Sequence, residues 1–406
     1  MAEVTNYIDR LVAELCPDGV EYRPLGEIAD VTSGYVFPVK YQGNEKSAED
    51  NIPFYKVSDM NLPGNEMFMT SSNNYVSAES AKEMRASLAQ PESIIFPKIG
   101  AAIATNKKRI LTEKSIVDNN VMVVTARSVI NSKFLYYVLS AFDLMSWSMG
   151  AGAVPSIKKS VVVKHEVPVP PLEIQEAIVE ILDKFTNLEA ELEAELEART
   201  LQYEYYRDSL FEALDCPHVP LGSLGVRNKG IAITASKMRT LEPGNKDVRI
   251  FAAGSTFVDT DSSFIPDKGI LEGPAIIVKS RGHIGFEYYE GKFTHKNELW
   301  SYSLTSDLVE QKFIYYYLLT QAYHLHELAR GKSVKLPQLA VKDTDELLVP
   351  VPSLEEQQRI VDILDRFDAL TSSLSEGLPA ELAVRRNQYE YYRDQLLSFP
   401  RKGENQ

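Results

Sequence analysis

Asp267, Glu290 and Lys292 form the one arrangement in this sequence whose residue types could carry out a reaction unaided. Pro266-Asp267 is followed by Glu290-Gly291-Lys292, which fits the PD…ExK pattern of metal-dependent nucleases. In such a centre two carboxylates hold Mg²⁺ and the lysine helps to activate the attacking water. The pattern is short and its spacing permissive, so a surface turn is the preferred reading and a stand-alone Mg²⁺ nuclease the alternative. Other catalytic signatures are missing. There is no G-x-x-x-x-G-K-[ST] phosphate loop, no G-x-G-x-x-G after a strand and no [DN]-P-P-[FY] tetrapeptide of an amino-methyltransferase; GAGAV (150–154) runs into Pro155, not into a helix. The six histidines (165, 218, 283, 295, 324, 326) are scattered, and His324 and His326 fall on different helix faces, so no zinc spacing is completed.

A second class of residue suits binding rather than catalysis. Lys98 stands two residues before Gly100, and Asn106-Lys107-Lys108-Arg109 follows. Further on come Lys279-Ser280-Arg281-Gly282-His283 and Arg330-Gly331-Lys332-Ser333-Val334-Lys335. Long cations beside glycine let a backbone approach a phosphate while the side chains reach base edges. The plain alternative for each is a lysine-rich solvated loop.

The clusters around Gly100 and Gly282 occupy matching places because the chain is a tandem duplication. Residues 167–185 (VPVPPLEIQEAIVEILDKF) and 349–367 (VPVPSLEEQQRIVDILDRF) are identical at thirteen of nineteen positions, at an offset of 182. QYEYYRD occurs at 202–208 and again at 388–394, an offset of 186, so the second copy carries four extra residues between these anchors. Fainter echoes pair Gly100 with Gly282, Pro155 with Pro337, KFLYY (133–137) with KFIYY (312–316), and PLGEI (24–28) with PLGSL (220–224). The first-half stretch that matches Glu290–Lys292 is Lys107-Lys108-Arg109, which has no acids, and this weighs against the nuclease reading.

Each half reads as a globular α+β region followed by a long helix. Short β-rich runs such as SIIFP, VMVVT and AIIVK alternate with turn residues, and one helical stretch (132–145 or 311–325) accompanies them. VPVP is stiff and extended. After it, Ile178, Ile181, Leu182 and Phe185, or Ile360, Ile363, Leu364 and Phe367, lie on one helical stripe. The first long helix is expected from about 172 to 214 and includes LEAELEAELEA, a four-residue repeat that drifts from the 3.5-residue period of a coiled coil. Gly377 and Pro379 should kink or break the second. Tyr203 and Tyr206, with Tyr389 and Tyr392, read as helix ends packed on a core or a partner. An N-terminal amphipathic helix with Val4, Tyr7, Ile8, Leu11, Val12 and Leu15 on one face should pack beside the C-terminal end of the second long helix.

Net charge is −14, but segment 167–210 alone holds 11 acidic and 3 basic residues, while 1–166 holds 19 and 17. The globular regions are near neutral, and nucleic acid is not excluded. No run is apolar enough to cross a membrane, the start is not a signal peptide, and Cys16 and Cys216 make no disulfide framework. A cytoplasmic chain is expected.

The frame as a whole, with VPVPxLExQ…IVxILDxF opening and YEYYRDxL closing each helix, resembles the specificity subunit of type I restriction–modification systems over essentially the full length. CPDGVEYRPLGEI (16–28) and IPFYKVSDM (52–60, with Lys56) resemble that family's target-recognition domains, and the LEAE repeat resembles the branch with tetrapeptide repeats in its spacer helix. The resemblance implies a pseudo-twofold duplication: recognition domain 1 at 1–166 with its helix at 4–15, a spacer helix at 167–214, recognition domain 2 at 215–348, a second spacer helix at 349–399 and a tail at 400–406. The two helices would form an antiparallel coiled coil. Each domain would read half of a split double-stranded DNA site. DNA would meet Lys56, Lys98, Asn106, Lys107, Lys108, Arg109, Lys279, Arg281, His283, Arg330, Lys332, Ser333 and Lys335. Ile178, Leu182, Phe185, Tyr203, Tyr206, Ile360, Leu364, Phe367, Tyr389 and Tyr392 would form the partner-binding helices that dock two methyltransferase subunits. Translocase/endonuclease subunits complete such complexes. The chain itself would need no cofactor, because S-adenosylmethionine, ATP and Mg²⁺ belong to the partners. A coiled-coil adaptor without nucleic acid is the remaining alternative.

Overall fold

The computed structural model describes residues 2–403 apart from 37, 42–45, 47–50, 84, 150–153, 242–245, 332–335, 374 and 376. It is an α+β chain that divides into two compact units, Met1–Glu191 with Ala383–Gln406, and Leu192–Leu382. The helices that matter here are α1 (Ala2–Leu15), α2 (Ser132–Ser140), α3 (Leu172–Glu212), α4 (Gln311–Gly331), α5 (Leu354–Thr371) and α6 (Gly377–Leu396).

In the first unit a five-stranded sheet runs in the order Ala29–Ser33, Val121–Ala126, Ile94–Pro97, Arg109–Leu111, Phe68–Met69, antiparallel except for the last pair. Ile94, Phe96, Met122 and Val124 on one face of that sheet share a core with Phe134, Leu135 and Leu139 of α2 and with Ile174, Ile178 and Leu182 of α3. Helix α2 is apolar nearly all round because it is enclosed in this core. Ile8 of α1 joins the same core, as do Leu396 and Phe399. The Val20 N–H donates to the Pro400 carbonyl at 2.8 Å and its carbonyl accepts the Lys402 N–H at 3.0 Å, so the segment after α1 meets the C-terminal segment. Tyr7 and Leu15, placed on the apolar face of that helix, stay exposed.

The second unit repeats the arrangement. Its four-stranded antiparallel sheet has the order Gly225–Lys229, Trp300–Leu304, Ala275–Lys279, Gly285–Tyr289. Ile276, Val278 and Tyr302 pack with Phe313, Ile314 and Leu318 of α4, with Ile360, Val361 and Leu364 of α5, and with Tyr203 and Phe211 of α3.

The joint between the globular region and the long helix is identical in both units. Oε1 of the fully buried Gln175 accepts the Asn131 N–H at 2.7 Å, and its amide donates to the Pro170 carbonyl at 2.7 Å. Gln357, also fully buried, accepts the Glu310 N–H at 2.8 Å and donates to Pro352 at 2.9 Å and Leu308 at 2.8 Å. Further along, Asp183 accepts from Lys133 at 2.6 Å and from the Tyr137 hydroxyl at 2.7 Å. Asp365 accepts from Lys312 at 2.8 Å and from the Tyr316 hydroxyl. Burial above all pushes both phenols far above their ordinary range, so each stays protonated and donates.

The second long helix is not one rod. α5 ends at Thr371 and α6 begins at Gly377, which has φ +77° with the Ala369 and Leu370 carbonyl oxygens 2.5 and 2.6 Å from where a Cβ would stand. Pro379 is not the breaker: it sits in the first turn of α6, where a missing N–H costs nothing.

Candidate nucleic-acid interface

The two glycine loops flanked by cations are structurally equivalent. Gly100 (φ +80°) donates its N–H to the Pro155 carbonyl at 2.8 Å, and Gly282 (φ +77°) donates to Pro337 at 2.9 Å. No atom lies within 4 Å of a Cβ built on either, so backbone conformation rather than crowding demands glycine there.

Two of the lysines expected at this interface are internal struts. Lys108 is 3% exposed, and its ammonium donates to the Phe142 carbonyl at 2.5 Å and to Asn106 Oδ1 at 2.7 Å. Burial pulls its pKa down to about 8, against the opposing pull of Asp143. Lys279 is 5% exposed, lies 3.1 Å from Glu287 and 4.8 Å from the Phe251 ring centroid, and donates to the Ala252 carbonyl. Neither can reach a phosphate. Asn106 adopts the left-handed conformation (φ +53°), and its Oδ1 also accepts the Leu144 N–H, so its side chain holds a turn.

The other candidates fall into two sets. Arg109 is half-buried, donating to the Lys108 carbonyl at 2.8 Å and the Met60 carbonyl at 3.2 Å. Lys98 is half-buried, with its pKa lowered by desolvation, and Lys56 is half-buried with its ammonium 5.9 Å from the Phe54 ring centroid. Lys107 is partly open and donates to Asn61 Oδ1. Arg281, His283 and Arg330 are exposed, the last 3.7 Å from Glu327. Lys332, Ser333 and Lys335, like 150–153 of GAGAV, lie outside the described residues.

Sequence reasoning missed a more open set. Lys158, Lys159 and Lys164 are exposed on and beside the short helix Lys159–Val162, and the Ile157 N–H bonds the Lys98 carbonyl, placing them next to the first glycine loop. Their signal was KKSVVVK, three lysines within seven residues. At an offset of 182 the second half has Ala340, Val341 and Glu346 instead, so the two loops differ in charge.

The proposed partner-binding residues are largely consumed within the chain. Ile178, Leu182, Ile360 and Leu364 are completely buried in the two cores. Phe185 stacks on Tyr392 at 5.7 Å and lies 6.4 Å from Tyr389; Phe367 stacks on Tyr206 at 5.7 Å and lies 6.4 Å from Tyr203. These rings tie helix to helix rather than chain to partner. The central tyrosine of each QYEYYRD is the most open, with Tyr205 70% and Tyr391 60% exposed, and Tyr206 is still 44% exposed beside the Phe367 ring.

For the nuclease alternative, the Glu290 carboxylate accepts the Tyr288 hydroxyl at 2.9 Å. Among the described residues no group of three or more His, Cys, Asp or Glu side chains converges to hold a metal, so Asp267 and Glu290 belong to no such cluster. Cys16 and Cys216 are free and half-buried. No described helix is long and apolar enough to cross a membrane.

Comparison with known proteins follows the same lines. The type I restriction modification DNA specificity domain matches residues 17–198 and again 227–384. The specificity subunit of the Escherichia coli type I restriction enzyme EcoR124I/EcoR124II is 35% identical over 249 residues, a match spanning 57% of this chain and 60% of that relative. A putative type I restriction enzyme specificity subunit of Haemophilus influenzae is 26% identical over 405 residues, 94% of this chain and 96% of that one. In fold the chain is similar to a type I system S subunit from M. genitalium (TM-score 0.55, 16% identity, 93% of this chain and 96% of that one). It is also similar to a chain from a study of type I complex assembly (TM-score 0.58, 17% identity, 93% and 97%). With both copies of its duplicated frame matched, the chain belongs to the type I restriction modification DNA specificity domain family.

Proposed function

We propose that this chain is the non-catalytic DNA-recognition subunit of a type I restriction–modification complex. Each globular region reads one half of an asymmetric, bipartite double-stranded site. The observation that carries this reading is the pairing of one repeated scaffold with unlike loops. Gly100 and Gly282 make the same hydrogen bond, yet lysines surround the first loop where the second has Ala340, Val341 and Glu346. Equal scaffolds suit two copies of one methyltransferase subunit, as twofold assembly requires. Unlike loops suit two unlike half-sites. Adenine N6-methylation, S-adenosylmethionine, ATP and Mg²⁺ fall to the partner subunits, with translocase/endonuclease subunits completing the restricting complex.

The LEAE repeat of α3 acts as a ruler in this reading. Four residues add about 6 Å, close to two base pairs. The test is methylome sequencing of cells expressing the chain with its methyltransferase. A bipartite N6-methyladenine motif is expected. Removing one LEAE unit should shorten the gap and leave both half-sites as they were; a changed half-site would refute the ruler.

A further inference from the structure

The joint between globular region and long helix is built from polar side chains, and it is the same joint twice. Asp183 receives Lys133 on one carboxylate oxygen and Tyr137 on the other; Asp365 receives Lys312 and Tyr316 in the same way. The two donors stand one turn apart on α2 or α4, so a single carboxylate grips two points of the neighbouring helix and blocks both sliding and rotation. Gln175 and Gln357 make a second grip eight residues earlier, about 12 Å along the helix, which fixes the tilt. Apolar faces alone would hold the helices together but tolerate slip, whereas the half-buried carboxylate grip and the fully buried glutamine, both with their partners satisfied, favour one arrangement. None of these residues belongs to the glycine loops that differ between the units.

We propose that Asp183 and Asp365, supported by Gln175 and Gln357, are positioning residues that make the gap between half-sites single-valued. This rests on the functional reading above. Neighbouring base pairs are about 3.4 Å apart, so a reader free to rock by that much on its helix would accept a gap one pair longer or shorter. The grip acts through the globular regions and touches no DNA.

The test compares methylation by the complete complex on duplexes carrying both half-sites at the wild-type gap and at gaps one pair longer and shorter. For D183A/D365A, the preference for the wild-type gap should fall about tenfold, the scale of one mismatched pair, with methylation at that gap within about threefold of wild type. Y137F/Y316F, which removes only two hydroxyls, should shift the same ratio in the same direction and decides the matter if the alanine variant does not fold. A contact that merely stabilises the chain lowers methylation at all gaps alike. An unchanged ratio in a folded variant would therefore overturn the proposal. Failure of the wild-type complex to methylate any bipartite site would instead remove the functional reading beneath it.

Discussion

Replacing Gln175 by alanine should destabilise the first unit while leaving its surface untouched. The side chain is fully buried and satisfies the Asn131 N–H at 2.7 Å and the Pro170 carbonyl at 2.7 Å. Each buried group left without a partner costs about 1–3 kcal/mol, so the pair gives about 3 kcal/mol after some relaxation near Asn131. At about 2–3 kcal/mol per M in urea for a unit of this size, the midpoint should fall by about 1–1.5 M. The chain supplies its own reporters, because its two tryptophans, Trp147 and Trp300, are buried one in each unit. In a W300F background, Trp147 fluorescence follows the first unit; in a W147F background, Trp300 follows the second. Q175A should lower the Trp147 midpoint, and Q357A should lower the Trp300 midpoint by a similar amount. Gln358, exposed beside Gln357, is the control, and Q358A should change stability by less than about 0.5 kcal/mol. A Trp147 midpoint that moves by less than about 0.3 M in Q175A would refute the reasoning, since even one unpaired buried group costs more than that.

Other outcomes follow from the same contacts. Lys108 has a folded pKa near 8, below its ordinary value, so the unfolded chain binds more protons above pH 8 and stability should rise from there to about 10.5; K108M should lose that rise, as read by urea midpoints across the range. Replacing Lys158, Lys159 and Lys164 together by alanine should lower the slope of log affinity against log salt by about 2 to 3 without changing the preferred sequence; an unaltered slope takes them off the DNA. Y205A/Y391A should weaken association with the methyltransferase subunit in a pull-down titration while leaving both tryptophan midpoints within about 0.5 kcal/mol of wild type, because both rings are mostly exposed.

Much of this architecture was legible because it rests on local signals. The end of α3 at Glu212 lies two residues from the expected 214, since helix formers run unbroken from Leu172. The interruption of the second helix was signalled by Gly377 and by the four extra residues of the second copy, although the harmless place of Pro379 needed coordinates. Burial of cations was not legible. Lys108 is taken up by the Phe142 carbonyl, 34 residues away, and Lys279 by Ala252, just past the strand Val248–Phe251, and by Glu287 on the neighbouring strand. No pattern within a loop reports such partners. Lys158, Lys159 and Lys164 have no glycine beside them to mark a close backbone approach, and their exposure comes from the four-residue helix Lys159–Val162 on the surface and its flanks.

Identity between the two halves turns out to have two sources, and burial separates them. Gln175 with Gln357, Asp183 with Asp365 and Phe185 with Phe367 are repeated because each unit needs the same internal joint. That requirement cannot account for repeated residues that touch solvent. Leu172 and Leu354 are 44% and 54% exposed, and Tyr205 and Tyr391 are 70% and 60% exposed, yet each pair is the same residue in both copies. A single exposed leucine or tyrosine is ordinary on a protein surface, but the same ones recurring in both copies are not explained by the internal joint. In the complex proposed above, a partner surface on the long helices is therefore better placed on these outward residues than on Ile178, Leu182, Ile360 and Leu364, which the chain has already used to fold.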